Sequence, residues 1–295
     1  MNSDYHEHMP EIEVLQESIN FFKSLDLSSK TTFEISELLN KHFPIQVFSV
    51  GVKWDDRFHL YRVRRNLSNS FEPWKNICQI GLPPADVTPL GRANIENSPL
   101  FYASHSEDLC FFEANQNITK PERWIPQNFT LSIWKVSKNQ VLNLVPIIHS
   151  KTVQEKRADI KSYFDQSKSE NLISESNEKL NQSFDLLSEF FADEFSKVKT
   201  NGNDDYKISA SYANLIMELN SQHNLGIDGI LYPSVVDNYL ADNVALFPNS
   251  LKKIELLKSC LATSYNFDFN KRTMTKGILK TGIIGEAGEI IWKNE

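Results

Sequence analysis

A chain of 295 residues, 40% hydrophobic and 11% aromatic, can bury a full core in one elaborated domain or two small ones. Its net charge of -7 argues against broad nucleic-acid binding, which needs a basic surface to displace phosphate counterions. No apolar run is long enough to span a bilayer, and the start MNSDYHEHMPEIE has neither the basic nor the apolar segment of a signal peptide, so a cytoplasmic protein with no membrane attachment is expected.

Residues 1–45 form the first predicted unit. From Glu11 to His42, Val14, Leu15, Ile19 and Phe22, then Phe33, Ile35, Leu38 and Leu39, recur at helical spacing, with a break at Ser28-Ser29 and an N-cap at Thr31-Thr32. Residues 46–150 come next. VFSVGVKW and RFHLYRV carry the Val, Phe and Tyr of strands up to Val63, and Asn66 to Pro89 is loop-like and rich in Ser, Asn and Pro, a place for a loop bordering a site. Arg57, Arg62, Arg64 and Arg65 form a basic cluster in an acidic chain; they suit either a small anionic ligand such as a pyrophosphate or a solvated strand face. Pro99 to Ala103 reads as a buried strand, Ser104 to Asn115 as a helix opened by a capping box of Ser104 with Glu107, and Phe129 to Val136 as a strand.

Residues 151–205 are a predicted helical insertion. Leu172, Ile173, Leu180, Phe184, Leu187, Phe191 and Phe195 carry the helical period through Lys-, Glu- and Ser-rich sequence, closed by Asn201-Gly202-Asn203-Asp204. In 206–295, Tyr206 to His223 is an amphipathic helix stopped near Gly226, Gly229 to Pro233 and Val244 to Phe247 are strands, and the segment Lys276 to Trp292, which carries ILKTGIIGEAGEIIW, gives two β-like runs around Gly-Glu-Ala-Gly, a hairpin signal. Cys78, Cys110 and Cys260 are odd in number and contain no CxxC pair, so they read as reduced thiols with neither a disulfide framework nor a metal site.

The order of short motifs carries a resemblance. Leu60-Tyr61-Arg62-Val63, Gly91-Arg92-Ala93-Asn94, Pro99 to Ser104, Glu113, Gly229 to Ser234, and Asn243 to Phe247 follow one another in a series that resembles the RES domain, a family named for its Arg, Glu and Ser. The similarity runs from Phe58 to Phe247 and is interrupted by the segment from Lys151 to Lys199. DLCFFEAN around Glu113 and VVDNYLADN after Ser234 depart from the family's Ala-Leu-x-Glu and Gly-rich patterns. The resemblance implies an α+β chain in which an ADP-ribosyltransferase-like mixed β core carries a helical N-terminal segment and a long helical insertion. It also implies an enzyme that degrades NAD⁺ by cleaving the bond between nicotinamide and ribose, acting as a bacterial toxin or defence effector. Carried over residue by residue, the catalytic positions fall on Arg62, Glu113 and Ser234, and the substrate-binding positions on Arg92, Tyr102, Tyr61, Asn94 and Asn243.

These residue types suit that chemistry. Breaking the glycosidic bond builds positive charge at the ribose C1′, which a carboxylate such as Glu113 can stabilise while orienting water or phosphate. Glu113 could equally be a helix-surface residue, although Phe111 and Phe112 place that helix end against a core. Arg62 and Arg92 can present a planar fork to a pyrophosphate or make strand-edge salt bridges. Tyr102 offers a ring for nicotinamide or adenine and a hydroxyl for ribose, or simply packs a strand. Ser234, after a proline at a strand end, can reach a ribose or carboxamide or cap a turn, and it has no His and Asp partners for a nucleophile's role.

NAD⁺ is expected as a substrate, with inorganic phosphate as a co-substrate if attack is phosphorolytic, and no metal or other cofactor is called for. Two other classes stay open: transfer of ADP-ribose to a macromolecule, and a binding module that senses NAD⁺ without turnover. A separate antitoxin or immunity protein is the partner the resemblance implies; a homo-oligomer is also expected, and no nucleic-acid partner is.

Overall fold

The computed structural model describes residues 10–43, 51–66, 74–114, 128–148, 151–157, 178–198, 202–236, 238–268 and 273–294. The expected lead-in forms two helices, α1 (Ile12–Ser24) and α2 (Thr32–His42). Thr31 starts α2 with a complete capping box, its hydroxyl accepting from the Glu34 N–H while the Glu34 carboxylate accepts from the Thr31 N–H. Strands β1 (Val52–Trp54) and β2 (His59–Arg65) follow, then the short helix α3 (Ile77–Ile80), β3 (Phe101–Ser104), α4 (Glu107–Ala114), β4 (Asn128–Val136), β5 (Leu142–Pro146) and α5 (Lys151–Lys156). The remaining elements are α6 (Glu178–Phe195), α7 (Lys207–His223), β6 (Gly229–Pro233), β7 (Asp242–Leu246), β8 (Ile254–Asp268), β9 (Thr273–Ile284) and β10 (Ile290–Asn294). Much of the predicted insertion, 158–177, lies outside the described residues, Leu172 and Ile173 with it.

The chain is α+β. Its strands form one ten-stranded sheet in the order β1-β5-β6-β7-β3-β2-β4-β8-β9-β10, antiparallel throughout except for the parallel pair β5–β6. Side chains alternate between faces in the central strands. On one face Ile230, Tyr232 and Ala245 pack with Leu15 and Phe22 of α1, Leu39 of α2, Phe191 and Phe195 of α6, and Ile208 and Ile216 of α7. On the other, Leu231, Val244, Leu246 and Phe101 join Trp54 from one end of the strand order and Ile290 from the other, so the sheet curls around this second core. Each fully buried Leu, Ile or Phe in such clusters contributes about 1.5–3 kcal/mol of apolar burial.

One local expectation is revised, and two strands are additional to those expected. Ser104 is the last residue of β3, and the cap of α4 is Ser106, whose Oγ accepts from the Leu109 N–H; the Ser104–Glu107 capping box does not form. β5 and the long strand β8 had no counterpart in the sequence reading. In β8 Ser259, Cys260, Leu261 and Ala262 are buried in succession, because both faces are covered there and no polar–apolar alternation survives. The C-terminal hairpin does form, β9 pairing β10 from Ile284↔Ile290 to Lys280↔Asn294, with Gly288 at φ 78° in the turn.

Candidate functional site

The site opens where the sheet parts. β2 is registered with β4 along its whole length but with β3 through the single pair Tyr61↔Ser104. Beyond that pair the edge of β2 from Arg62 to Arg65 diverges from β3, and a cavity of about 470 Å³ lies against both strands. Its floor follows from register. Tyr61, Ser104, Asn243 and Tyr232 are successive partners across β2, β3, β7 and β6, so they form one row, and all four line the cavity.

Helix α4 lies over β2 and supplies the carboxylate. The Cys110 thiol donates to the Tyr61 carbonyl at 2.8 Å, and Arg65 Nη2 donates to the Ala114 carbonyl at 3.4 Å. Phe111, fully buried against Phe129 with the rings edge-on at 5.6 Å, fixes the rotation of the helix. Glu113 is two positions on, hence on the other side. Its Oε1 accepts from Ser234 Oγ at 2.7 Å and from Asn243 Nδ2 at 2.8 Å. These donors come from the two ends of the β6–β7 connection, a tight turn in which Asn238 and Tyr239 adopt positive φ and the Ser234 N–H donates to the Ala241 carbonyl at 2.8 Å. Arg157, just past α5, clamps the same connection through Asp242 at 2.7 Å.

Arg62 is a buried cation held by neutral groups. Its Nε donates to the Ile80 carbonyl at 3.1 Å and its Nη1 to the Tyr102 carbonyl at 2.6 Å, and it sits 4.8 Å from the Phe101 ring centroid. Burial, reinforced by the neighbouring charge of Arg64, pushes its pKa down to about 9; it remains a cation at neutral pH, and an anion in the cavity would relieve that desolvation. Arg64 donates to the Gln79 carbonyl and lies 5.7 Å from the Trp74 ring centroid. The loop-like segment meets these arginines through α3, whose Ile80 and Gln79 carbonyls accept from Arg62 and Arg64.

Tyr102 and the Gly91–Asn94 turn form a second wall. The Tyr102 hydroxyl donates to Asn94 Oδ1 at 2.7 Å and accepts from the Ala93 N–H at 2.9 Å, and burial raises its pKa. The hydroxyl expected to reach a ribose therefore holds this turn, while the residue still lines the cavity. Asn94, expected to touch substrate, stands behind Tyr102 with its Nδ2 on the Pro89 and Ile95 carbonyls. A Cβ on Gly91 would lie 2.4 Å from Asn94 Oδ1 and 3.0 Å from the Tyr102 hydroxyl, so only glycine fits.

Arg92 lines the cavity with much of its fork already engaged. Nη1 donates to the Phe195 and Lys197 carbonyls at 2.5 and 3.1 Å, and Nη2 to the Tyr206 hydroxyl at 3.2 Å. A cation at the C-terminal end of α6 also suits the helix dipole. The Arg92 guanidinium lies 4.6 Å from the Tyr206 ring centroid, so the insertion fixes one wall of the site.

Of the predicted residues, Tyr61, Arg62, Arg92, Tyr102, Glu113 and Asn243 line one cavity, with Ser234 and Asn94 one layer behind. Arg57, grouped with the other arginines in the sequence, is instead exposed and paired with Asp55 at 2.7 Å. Tyr206, Tyr232, Ser104 and Cys110 also line the cavity and were missed. Tyr232 lay within one of the motifs that carry the resemblance but was given no role there; nothing local marks Tyr206. Among the described residues, no group of three or more His, Cys, Asp or Glu is placed to hold a metal ion, and no helix is long and apolar enough to cross a membrane. Comparison with known proteins finds no matching family model and no matching curated protein.

Proposed function

We propose that the protein cleaves the nicotinamide–ribose bond of NAD⁺, as an enzyme of RES type whose sheet and α4 make an ADP-ribosyltransferase-like core. One observation carries this proposal. The Glu113 carboxylate is fixed through Ser234 and Asn243 at the wall of a cavity that, among the described residues, four arginines and four tyrosines also line. A carboxylate so placed suits a substrate that is cationic at its reacting end and anionic in its middle, which describes a nicotinamide ribose joined to a pyrophosphate.

In the proposed reaction the C1′–N bond breaks with its electron pair moving onto the nicotinamide nitrogen, so nicotinamide leaves neutral and needs no general acid. The Glu113 carboxylate stabilises the oxocarbenium-like centre left at C1′. Water or inorganic phosphate then forms the new bond to C1′; a water gives up its proton, for which Glu113 is the acceptor within reach. Both donors on Glu113 act on Oε1, so Ser234 is a positioning residue. Arg62 and Arg92 draw the pyrophosphate through charge-assisted hydrogen bonds from the nitrogens they have left.

The test is release of nicotinamide from NAD⁺ by purified protein with and without inorganic phosphate. ADP-ribose as the second product identifies water as the acceptor, and ADP-ribose 1″-phosphate identifies phosphate. Intact NAD⁺ after prolonged incubation under both conditions rejects the proposal.

A further inference from the structure

Four tyrosines line the cavity among the described residues, and their hydroxyls are not used alike. That of Tyr102 holds the Gly91–Asn94 turn, that of Tyr206 accepts from Arg92, and Tyr61 is half-buried, within reach of solvent. Tyr232 is different. It is only 4% exposed, its ring packs against Phe195 with centroids 5.5 Å apart, and its hydroxyl makes no hydrogen bond among the described residues. A buried hydroxyl left without a partner is costly, and native structures keep very few. This one belongs to a cavity wall, where whatever fills the cavity can answer it. Burial holds the phenol's pKa well above its usual value, an effect that Tyr102 and Glu113 reinforce and Arg92 opposes, so at neutral pH the group is an intact O–H donor.

The register of the sheet narrows the choice of ligand group. Tyr232 is the cross-strand partner of Asn243, whose amide donates to Glu113, and side chains so paired stand on one face with Cβ atoms about 4.5–5.5 Å apart. On its other side Phe195, against which the ring packs, gives its carbonyl to Arg92 at 2.5 Å. Tyr232 thus stands between the residue that orients the carboxylate and the residue that anchors the Arg92 guanidinium. In the reaction proposed above Glu113 faces C1′ and Arg92 the pyrophosphate. The part of the substrate that joins those two points is the ribose bearing nicotinamide, with its 2′- and 3′-hydroxyls. We propose that the Tyr232 hydroxyl donates a hydrogen bond to one of these ribose hydroxyls, and that this bond completes the buried phenol and makes Tyr232 a substrate-binding residue. The identity of the sugar rests on the function proposed above; the open hydroxyl rests on the structure alone.

The experiment is Tyr232→Phe, which keeps the ring against Phe195 and deletes only the hydroxyl. Calorimetry measures NAD⁺ binding with and without this substitution in the full chain carrying Glu113→Gln, which suppresses turnover. NAD⁺ analogues lacking the 2′- or the 3′-hydroxyl of the nicotinamide ribose are measured alongside, as is nicotinamide release by the unmodified chain. The phenylalanine variant is expected to bind NAD⁺ about three- to tenfold more weakly, the worth of one hydrogen bond, and to bind the analogue lacking the contacted hydroxyl as well as its parent does. Its melting temperature should stay the same or rise, because no bond within the protein is lost. Unchanged NAD⁺ affinity overturns the proposal, and so does a destabilisation of several degrees, which would give the hydroxyl to the fold. An equal loss for NAD⁺ and both analogues moves the contact off the ribose and overturns it too. Hydroxyl-dependent binding without nicotinamide release from the unmodified chain keeps the ribose contact and removes the enzymatic function. Release by a chain whose NAD⁺ affinity Tyr232→Phe leaves unaltered does the reverse, and absence of NAD⁺ binding rejects both.

Discussion

Strand β6 has a carboxylate network at each end, and the two differ in kind. At its start, Asp228 is buried and completely answered: Lys253 Nζ lies 2.7 Å from one oxygen, Ser250 Oγ donates to the other at 2.8 Å, and the Asn143 N–H donates at 2.8 Å. Those partners tie β5, β6 and the connection between β7 and β8 into one corner. At its end, Ser234 and Asn243 hold Glu113 through neutral donors on one oxygen, at the wall of a cavity. A carboxylate paired with a lysine ties the fold together, whereas one oriented by a hydroxyl and an amide at a cavity wall faces the space where a ligand would sit. The comparison therefore separates a residue whose loss unfolds the protein from one whose loss silences it.

The largest effect should fall on stability at the Asp228 corner. Asp228→Ala leaves Lys253, mostly buried, without its counter-charge and is expected to cost about 3–5 kcal/mol in equilibrium denaturation, with nicotinamide release per folded molecule nearly unchanged; a stability loss under 1 kcal/mol would make the two carboxylates alike. At the other end, Ser234→Ala removes one of the donors that orient Glu113. Nicotinamide release should fall roughly tenfold in kcat with KM little altered, and steady-state kinetics would show a KM change instead if the hydroxyl held substrate. Tyr102→Phe cuts the two bonds to the Gly91–Asn94 turn, so about 1–2 kcal/mol of stability should go, read from the denaturant midpoint. Arg57→Ala should change neither property; a fall in activity there would bring Arg57 into the site and spoil the division between aimed and solvated arginines.

What could be read from the sequence was what is encoded locally. The N-cap at Thr31, the helical period of α1, α2 and α7, and the Gly-Glu-Ala-Gly hairpin each depend on residues within a few positions of one another, and each formed. β8 escaped because its buried run, Ser259 to Ala262, gains its character from β4, β9 and α4, which are distant in sequence. The same division runs through the site. Motif order singled out Arg62, Glu113, Ser234 and Asn243, and the fold brings their side chains to one place. The sequence did not reveal that Ser234 and Asn243 would meet on a single oxygen, that Arg92 would turn toward the end of α6, or that Tyr206 would enter the wall, since each depends on the packing of the insertion and on sheet register.

The proposal for function turns on whether Glu113 performs chemistry or merely completes a hydrogen-bond network, and one paired measurement addresses it: nicotinamide release from NAD⁺ by the unmodified chain and by Glu113→Gln, with thermal unfolding of both proteins alongside. Glutamine keeps the acceptor oxygen for Ser234 and Asn243 and loses only the charge. Release should drop by about 100- to 1000-fold, the usual consequence of removing a group that stabilises charge in the transition state, while the melting temperature stays within a few degrees. Equal release by the two proteins would contradict the role given to Glu113, and absence of release from the unmodified chain would contradict the proposed function itself.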